Sequence, residues 1–212
     1  MYTMAAEKHA KRPAVAPGEP GFHDHIVAVG AKLLASAGYE GFTMRRLAQD
    51  VGCSPMALYR HFPNKETLIV HLCRELYVSY AATVKRELDS TDDAWERLRR
   101  LIAAVIQFAH TYPDHYSLIF LVRHPDLAVV EEREKLGHEF LSQIQDVVRL
   151  VLPQSTPRGV VRMRLQQMLA CLHGTAALLI AHPGAYRLTS QTAVRNAEQS
   201  IRRILTDEPS SS

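Results

Sequence analysis

Apolar residues recur every three or four positions along most of the chain from His23 onward, which is the period of an α-helix with one buried face. No segment alternates apolar and polar residues between turn dipeptides, as a half-buried β-strand does. Prolines 113, 125, 153, 157 and 183 fall between the periodic segments, where a helix loses little by lacking one N–H donor. The pattern therefore predicts an all-α protein.

The predicted helices divide the chain into an N-terminal and a larger C-terminal domain. A first helix is expected at about His23–Ala37, with Gly38 as its left-handed cap. Beyond the first 90 residues, helical segments are expected at 91–111, 113–123, 125–152, 156–181 and 190–205. We predict a DNA-binding domain over 22–69 and a helical bundle over 70–206.

The two ends of the chain carry no helical pattern. Residues 1–21 contain prolines and glycines with scattered basic residues, so we expect a flexible arm that either contacts phosphates or is a solvated tail. The Ser-rich residues 207–212 are expected to be a disordered tail.

Composition restricts the class of protein without selecting a partner. Of the 212 residues, 47% are hydrophobic and 22% charged, which fits a folded globular chain, and the net charge of +3 is too small to identify a polyanionic partner. The apolar runs are shorter than the roughly 20 residues of a membrane span, and the N-terminus lacks an apolar signal core. We expect a cytoplasmic protein, with no membrane partner, whose three cysteines are unpaired.

Residues 41–68 begin with an amphipathic helix that stops sharply. Arg45 and Arg46 lie away from its apolar face, and Gly52 can adopt the left-handed conformation that reverses the chain. Thr43 is the expected N-cap of this helix. The apolar face consists of Met44, Leu47, Ala48 and Val51.

A second short helix is expected after a turn of about three residues, which is the spacing of a helix-turn-helix. Ser54 and Pro55 supply its N-cap and first helical position, and Leu58 and Phe62 form its inner face. Its outer face carries no acidic side chain that would repel phosphate and consists of Pro55, Met56, Tyr59 and Arg60. The pattern predicts a DNA-binding surface.

Each part of this surface has an expected contact. The start of the second helix, Pro55, Met56 and Ala57, would reach base edges and favour apolar contact with a thymine methyl group, whereas Arg45 suits a guanine. Asn64 can cap the next helix, whose N-terminus forms an anion site beside Lys65. Tyr59 and His61 can donate to phosphates.

The same stretch resembles the N-terminal domain of the tetracycline-repressor (TetR) family. With the first helix, the resemblance covers about a quarter of the chain. The residues that match are Thr43, Arg45, Leu47, Ala48, Gly52, Ser54, Leu58, Tyr59, His61, Phe62, Asn64, Lys65, Glu66 and Leu68.

The resemblance implies phosphate contacts from Thr43, Tyr59, His61 and Lys65, and base contacts from Arg45 and the start of the second helix. One departure is that His23, Asp24 and His25 stand where the family usually opens its first helix with Arg or Lys. The alternative reading of the stretch is an ordinary pair of packed helices joined by a short glycine turn.

For the rest of the chain, the resemblance implies a divergent helical domain that forms a homodimer through its last two long helices and encloses a ligand cavity. Leu172–Gly174 resembles a Leu-His-Gly motif of one subgroup. The last two helices carry apolar stripes that we predict as the dimer interface, namely Leu165, Leu169, Leu172, Ala176, Leu179, Val194, Ala197 and Ile201.

The candidate ligand residues are aromatic, methionine and histidine side chains that could line an apolar pocket with a few polar groups. Such residues at helical spacing are more often plain core. The candidates are Trp95, Phe108, Tyr112, Tyr116, Phe120, Met163, Met168 and His173.

No motif indicates a metal, a cofactor or a catalytic nucleophile, and the eleven histidines do not form metal-ligand spacings. Together with the DNA-binding pattern, the family resemblance implies a homodimeric repressor that binds a palindromic DNA operator and is released by a largely apolar small molecule. The alternatives are an architectural DNA-binding protein that senses no ligand and, less favoured, an all-α enzyme.

Overall fold

A computed structural model of the protein describes residues 19, 21–121, 127–182, 184 and 187–206. The chain divides into two compact units, one ending at Leu68 and the other beginning at Ile69. The predicted N-terminal arm lies outside the described residues except for Glu19 and Gly21, and so does the whole predicted tail. Every regular element in the described ranges is helical, which confirms the all-α prediction.

The first unit contains α1 (Phe22–Gly41), α2 (Met44–Val51), α3 (Pro55–His61) and the start of α4 (Lys65–Leu88). The apolar face predicted for α2 is buried, and it packs on α1 and α3. The other buried side chains of this unit include Phe22, Ile26, Leu34, Phe42, Leu58 and Leu68.

The end of α1 differs from the predicted end. Gly38 does have a positive φ of 66°, but the chain makes one further turn to Gly41. The Phe42 amide donates to the Gly38 carbonyl oxygen (3.1 Å), and the Phe42 side chain is fully buried. The extra turn thus leads into Phe42, whose aromatic ring packs in the core of the first unit.

Three side-chain caps fix the starts of α2, α3 and α4, as predicted from the sequence. Thr43 Oγ1 accepts from the Arg46 amide (3.2 Å), Ser54 Oγ accepts from the Ala57 amide (3.2 Å), and Asn64 Oδ1 accepts from the Thr67 amide (2.7 Å). Each cap satisfies an N–H group that lacks a partner within its helix. Gly52, with φ 83° and ψ 30°, ends α2 in the left-handed conformation.

The second unit contains the rest of α4, α5 (Ala94–Thr111), α6 (Pro113–Tyr116), α7 (Leu127–Val151), α8 (Arg158–Ala181) and α9 (Ser190–Thr206). Helix α5 packs against α7, α8 and α9, and α8 packs against α9. Helix α5 supplies a large share of the core through Leu98, Leu101, Ile102, Val105, Ile106, Phe108 and Ala109. None of the helices described for the chain is long and apolar enough to cross a membrane.

A π-helical turn over Ser117–Leu121 follows α6, where the sequence predicted one continuous short helix. The wider turn changes the direction in which successive side chains point. Tyr116, Leu118 and Ile119 are buried, and Phe120 contacts the ring of Tyr80 at 5.0 Å between centroids.

A buried arginine joins α8 to the end of α9. The Arg164 side chain is 8% exposed, and its guanidinium donates to the Ile204 carbonyl oxygen in the last turn of α9. Cations are favourable at helix C-termini, where the carbonyl groups lack partners within the helix. Arg164 therefore holds the two helices together by a polar contact inside an apolar interface.

We expect Arg164→Ala to lower the free energy of unfolding by about 2 kcal/mol, because it leaves the partly buried Ile204 carbonyl oxygen without this charged donor and removes a buried side chain from the interface. Urea unfolding followed by circular dichroism measures the change. The control is Arg162→Ala, which removes an exposed arginine from the same helix and should change stability by less than about 0.5 kcal/mol. Equal effects of the two substitutions would contradict the role given to Arg164.

Candidate DNA-binding surface and ligand cavity

The outer surface of α2 and α3 presents the side chains that were predicted to bind DNA. Thr43, Arg45 and Arg46 are exposed at the start of α2. On α3, Met56 is 65% exposed and Tyr59 48% exposed. Pro55, Arg60 and His61 are also exposed, and Ala57 is half-buried. No acidic residue interrupts α3.

The fold brings several of these residues to one surface cleft of about 590 Å³. Because Thr43 and Asn64 cap α2 and α4, the cleft lies beside two helix N-termini, whose N–H groups and dipoles favour an anion. Basic and hydroxyl side chains complete it. The lining is Phe42, Thr43, Met44, Arg45, Tyr59, Pro63, Asn64 and Lys65.

Lys65 has a second role that the sequence did not indicate. Its Nζ donates to the Tyr39 carbonyl oxygen (2.5 Å) and lies 3.9 Å from the centroid of the Tyr39 ring. These contacts attach the first residue of α4 to the last turns of α1 and hold the ammonium at the cleft. An ammonium has three N–H donors, so one bond to Tyr39 leaves donors for a phosphate.

The second unit encloses an apolar cavity of about 510 Å³, within the range of small-molecule sites. Aromatic and aliphatic side chains from α4, α5, the π-helical turn, α7 and α8 form most of its wall. The lining is Tyr77, Tyr80, Val105, Ile119, Phe120, Arg133, Glu134, Gly137, His138, Phe140, Leu141, Ile144, Leu169, Leu172 and His173.

A short hydrogen bond stands at the wall of this cavity. The Tyr116 hydroxyl lies 2.5 Å from His173 Nδ1, and the His173 ring lies 4.6 Å from that of Phe120. Burial raises the pKa of Tyr116, so its hydroxyl stays protonated. Burial also lowers the pKa of His173, which keeps the imidazole neutral near pH 7.

The predicted ligand residues divide into two groups in the structure. Phe120 and His173 line the cavity. Tyr116 is not part of the lining, but its hydroxyl group forms a hydrogen bond with His173. The others are absent from the lining. Phe108 and Tyr112 line a separate groove, Trp95 stacks under the Arg202 guanidinium, Met168 is fully buried, and Met163 is exposed.

The cavity also contains residues that the sequence analysis missed. Tyr77 and Tyr80 lie three residues apart on α4, and a further group of lining residues lies on α7 from Arg133 to Leu141. The spacing of the α4 tyrosines was the available signal, because residues three apart share a helix face.

The stripe predicted as the dimer interface needs correction. Most of its side chains pack inside their own chain, because α8 turns this face towards α5 and α9. Leu169 lines the cavity and Val194 is half-buried. The side chains buried in the core are Leu165, Leu172, Ala176, Leu179, Ala197 and Ile201.

Helix α8 exposes a different face, and that face lacks charge. Met163, Gln167, Ala170, Gly174, Leu178 and Ala181 are exposed on it at spacings of three or four residues. Leu178 is 46% exposed. No Asp, Glu, Lys or Arg occurs from Leu165 to Ala181.

The histidines do not form a metal cluster in the part of the chain that the structure describes, where no three His, Cys, Asp or Glu side chains converge. His115, which neighbours Asp114, stacks on Tyr112 with 5.4 Å between ring centroids.

Comparison with known families covers both units. The model of "Bacterial regulatory proteins, tetR family" matches residues 26–72. The model of the "Tetracyclin repressor-like, C-terminal domain" matches residues 98–207, which is just over half of the chain. The chain belongs to the tetracycline repressor family. This TetR-family regulator therefore has the predicted fold, with an N-terminal helix-turn-helix domain and a helical C-terminal domain.

Curated relatives carry the name nucleoid occlusion factor SlmA. The protein from Vibrio vulnificus (strain YJ016) is 35% identical over 91 residues, which are 42% of this chain and 46% of the relative. The protein from Shewanella pealeana is 28% identical over 138 residues, which are 64% of this chain and 68% of the relative. The TetR-family chain thus spans about half the length of the first of these relatives.

Solved structures share the fold at low identity. The transcriptional regulator FadR from Bacillus subtilis, solved in complex with stearoyl-CoA, has a TM-score of 0.73 at 14% identity, over 87% of this chain and 98% of that one. The TetR-family regulator PfmR from Thermus thermophilus has a TM-score of 0.66 at 22% identity, over 85% of this chain and 96% of that one.

The lowered pKa of His173 predicts how stability depends on pH. Below the pKa of an exposed histidine, about 6.5, the unfolded chain binds a proton that the buried imidazole does not. The contribution of His173 to the free energy of unfolding should therefore be complete above the pKa of the exposed histidine and should decrease as the pH falls below it. His115, whose pKa burial also lowers, adds to this trend.

We expect His173→Gln to reduce the loss of thermal stability between pH 7.5 and pH 5.5. Differential scanning fluorimetry measures it. The matched control, His110→Gln on exposed α5 surface, should keep the wild-type pH dependence. A His173→Gln protein with an unaltered pH dependence would contradict the neutral, buried imidazole.

Proposed function

We propose that this regulator is a repressor that binds a palindromic operator as a homodimer and is released when a small molecule occupies the cavity of its second unit. The observation that carries the proposal is the cleft lined by Thr43, Arg45, Tyr59 and Lys65 beside the acid-free outer face of α3. The 510 Å³ apolar cavity of the same chain supports the sensing role.

In this proposal α3 enters the major groove. Met56, which is 65% exposed, leads with Pro55 and Ala57 and supplies apolar surface for a thymine methyl group. Arg45 reaches a guanine from the first turn of α2 and is the residue of this surface that is best suited to bidentate base recognition.

Phosphate groups would occupy the cleft and its rim. Thr43 and Tyr59 offer hydroxyl donors, Lys65 offers a positioned ammonium, and the two capped helix N-termini offer backbone N–H groups. Arg46, Arg60 and His61 extend the polar surface around the cleft. Contacts of this kind set the register of the protein on DNA, and Arg45 adds the sequence preference.

The exposed, charge-free face of α8 is the surface that we propose for the second copy. This face carries no charge and, apart from Gln167, consists of apolar or small residues, which fits an interaction site. The small side chains of Ala170 and Gly174 allow a close approach of two helices, and Leu178 supplies apolar contact. The outward face of α9 carries Arg195 and Arg203 instead.

A second candidate function is ligand-independent DNA binding. It is favoured by the curated relatives that are named nucleoid occlusion factors. The apolar cavity favours the sensing function instead, because a protein that only binds DNA has no need to keep unfilled space in its core. The FadR neighbour solved with stearoyl-CoA supports a sensor as well.

We expect Arg45→Ala to weaken operator binding and to relax the base preference, since it removes a base contact worth roughly 1–3 kcal/mol. Tyr59→Phe should weaken binding to operator and to unrelated DNA alike. Selection of bound sequences from random DNA, followed by fluorescence anisotropy at several salt concentrations, measures both effects. Arg149→Ala on exposed α7 surface is the charge-matched control.

The Lys65→Met substitution tests both roles of Lys65, the proposed phosphate contact and the attachment to Tyr39. The slope of log affinity for DNA against log salt concentration should fall by the amount of about one phosphate contact. The melting temperature should also fall, because the contacts with Tyr39 are lost. Unchanged affinity at moderate salt for both Arg45→Ala and Lys65→Met would contradict the proposed surface.

We expect the wild-type protein to sediment as a dimer at micromolar concentration and Gly174→Arg to sediment as a monomer. Apart from its own helix, a Cβ atom at Gly174 would meet none of the described residues within 4 Å, so we expect the substitution to leave the fold of the single chain intact. Operator affinity should fall by at least about tenfold, since only one half-site is then bound at a time. Gln107→Arg, an added arginine on exposed α5 surface, should remain dimeric. A dimeric Gly174→Arg protein would contradict this interface.

A further inference from the structure

The apolar cavity contains hydroxyl groups that lack hydrogen-bond partners within the described chain. Tyr80 is 2% exposed, and the rings of Tyr77, Phe108, Phe120 and Phe140 surround it at 5.0 to 6.1 Å between centroids. Neither Tyr80 nor Tyr77 makes a hydrogen bond through its hydroxyl to a described residue. A buried hydroxyl without a partner destabilises the fold, so its retention calls for an explanation.

His173 adds a further donor to the same cavity. Because a phenol is a stronger donor than a neutral imidazole, we assign the donor role in the 2.5 Å contact to the Tyr116 hydroxyl and the acceptor role to His173 Nδ1. The neutral imidazole therefore carries its own proton on Nε2. No described residue accepts a hydrogen bond from this Nε2–H group.

The charges around the cavity balance and lie on one side. Arg133 and Glu134 are the charged residues of the lining, they have opposite signs, and both belong to α7. Glu134, His138 and Leu141 are exposed, so this stretch of α7 marks the open side. Arg133 is half-buried, so a carboxylate in the cavity could reach a cation there, whereas an ammonium would face hydrogen-bond donors and would find the one carboxylate of the lining, Glu134, on the open side.

We propose that the effector is a mainly apolar molecule that carries a carbonyl, ether or carboxylate oxygen and accepts hydrogen bonds from the Tyr80 hydroxyl and His173 Nε2–H. The inference rests on the proposed function, in which this cavity is the effector site. The apolar part of the ligand fills the space between α4, α7 and α8, and its oxygen satisfies donors that the ligand-free protein leaves unpaired. Donors without acceptors select for an acceptor and against a second donor.

The test uses the neutral fluorophore N-phenyl-1-naphthylamine, whose emission rises in apolar surroundings, as a probe of the full chain. Two competitors of equal chain length then displace it at pH 7.5, namely nonan-2-one and nonylammonium. We expect the ketone to displace the probe at a concentration at least about tenfold lower than the ammonium does, because the ammonium has only donors to offer to the two donors of the cavity and must also lose its hydration.

A pair of tyrosine variants tests the donor. Tyr80→Phe should weaken binding of nonan-2-one by about tenfold while it leaves binding of the naphthylamine probe unchanged. The ligand-free Tyr80→Phe protein should also melt about 2–4 °C higher, since the unpaired hydroxyl is gone. The control is Tyr112→Phe, which removes a hydroxyl from an exposed tyrosine outside the cavity lining and should change neither quantity.

The outcomes separate the ligand class from the proposed function. If the probe binds but nonylammonium displaces it better than the ketone, or if Tyr80→Phe leaves ketone affinity unchanged, the ligand class is wrong and the sensing function stands. A lower melting temperature for Tyr80→Phe would likewise overturn the unpaired hydroxyl. If the probe does not bind at all, the cavity is not a ligand site, and both proposals fail.

Discussion

Burial of one face of α8 against α5 and α9 is the interaction on which the second unit depends. Leu172 and Ala176 on that face are fully packed, and Arg164 attaches it to the last turn of α9. Because a helix places residues three and four apart on one face, this packing also determines what the other faces of α8 do. Leu169, Leu172 and His173 reach the cavity, while Ala170, Gly174 and Leu178 face outward. The orientation of α8 against α5 and α9 thus determines both which of its residues line the cavity and which form the surface proposed for the second copy.

The first unit could be predicted from the sequence in considerable detail. The caps Thr43, Ser54 and Asn64 and the left-handed Gly52 act within a few residues of chain, and local hydrogen bonds leave few alternatives to such sequences. The exposed side chains of α3 follow from the same periodicity. The attachment of Lys65 to Tyr39 was not predictable, because it joins residues 26 positions apart through the geometry of the folded unit.

The second unit was predictable in outline, and its site was not. Helical period located its helices to within a few residues, but it could not say which apolar stripe faces the core. Leu165 and Ile201 were assigned to the dimer interface because an apolar face has the same pattern whether its partner is a neighbouring helix or another chain. The cavity likewise depends on α4 and α7, whose tyrosines and glycine come together only in three dimensions. Gly137 lies opposite the Tyr77 hydroxyl, and a Cβ atom there would stand 3.6 Å from it.

The absence of charge from Leu165 to Ala181 has a consequence for partner choice among related regulators in one cell. Two chains that pair through this face of α8 can neither attract the correct partner nor repel an incorrect one by charge, which is a common way of enforcing pairing. Discrimination would then depend on the shape of the surface, above all at the exposed Gly174, where an added Cβ would meet no described side chain of its own chain within 4 Å. In the proposed interface a larger side chain at that position would hold the two helices apart, so the size of one residue could decide which related chains pair.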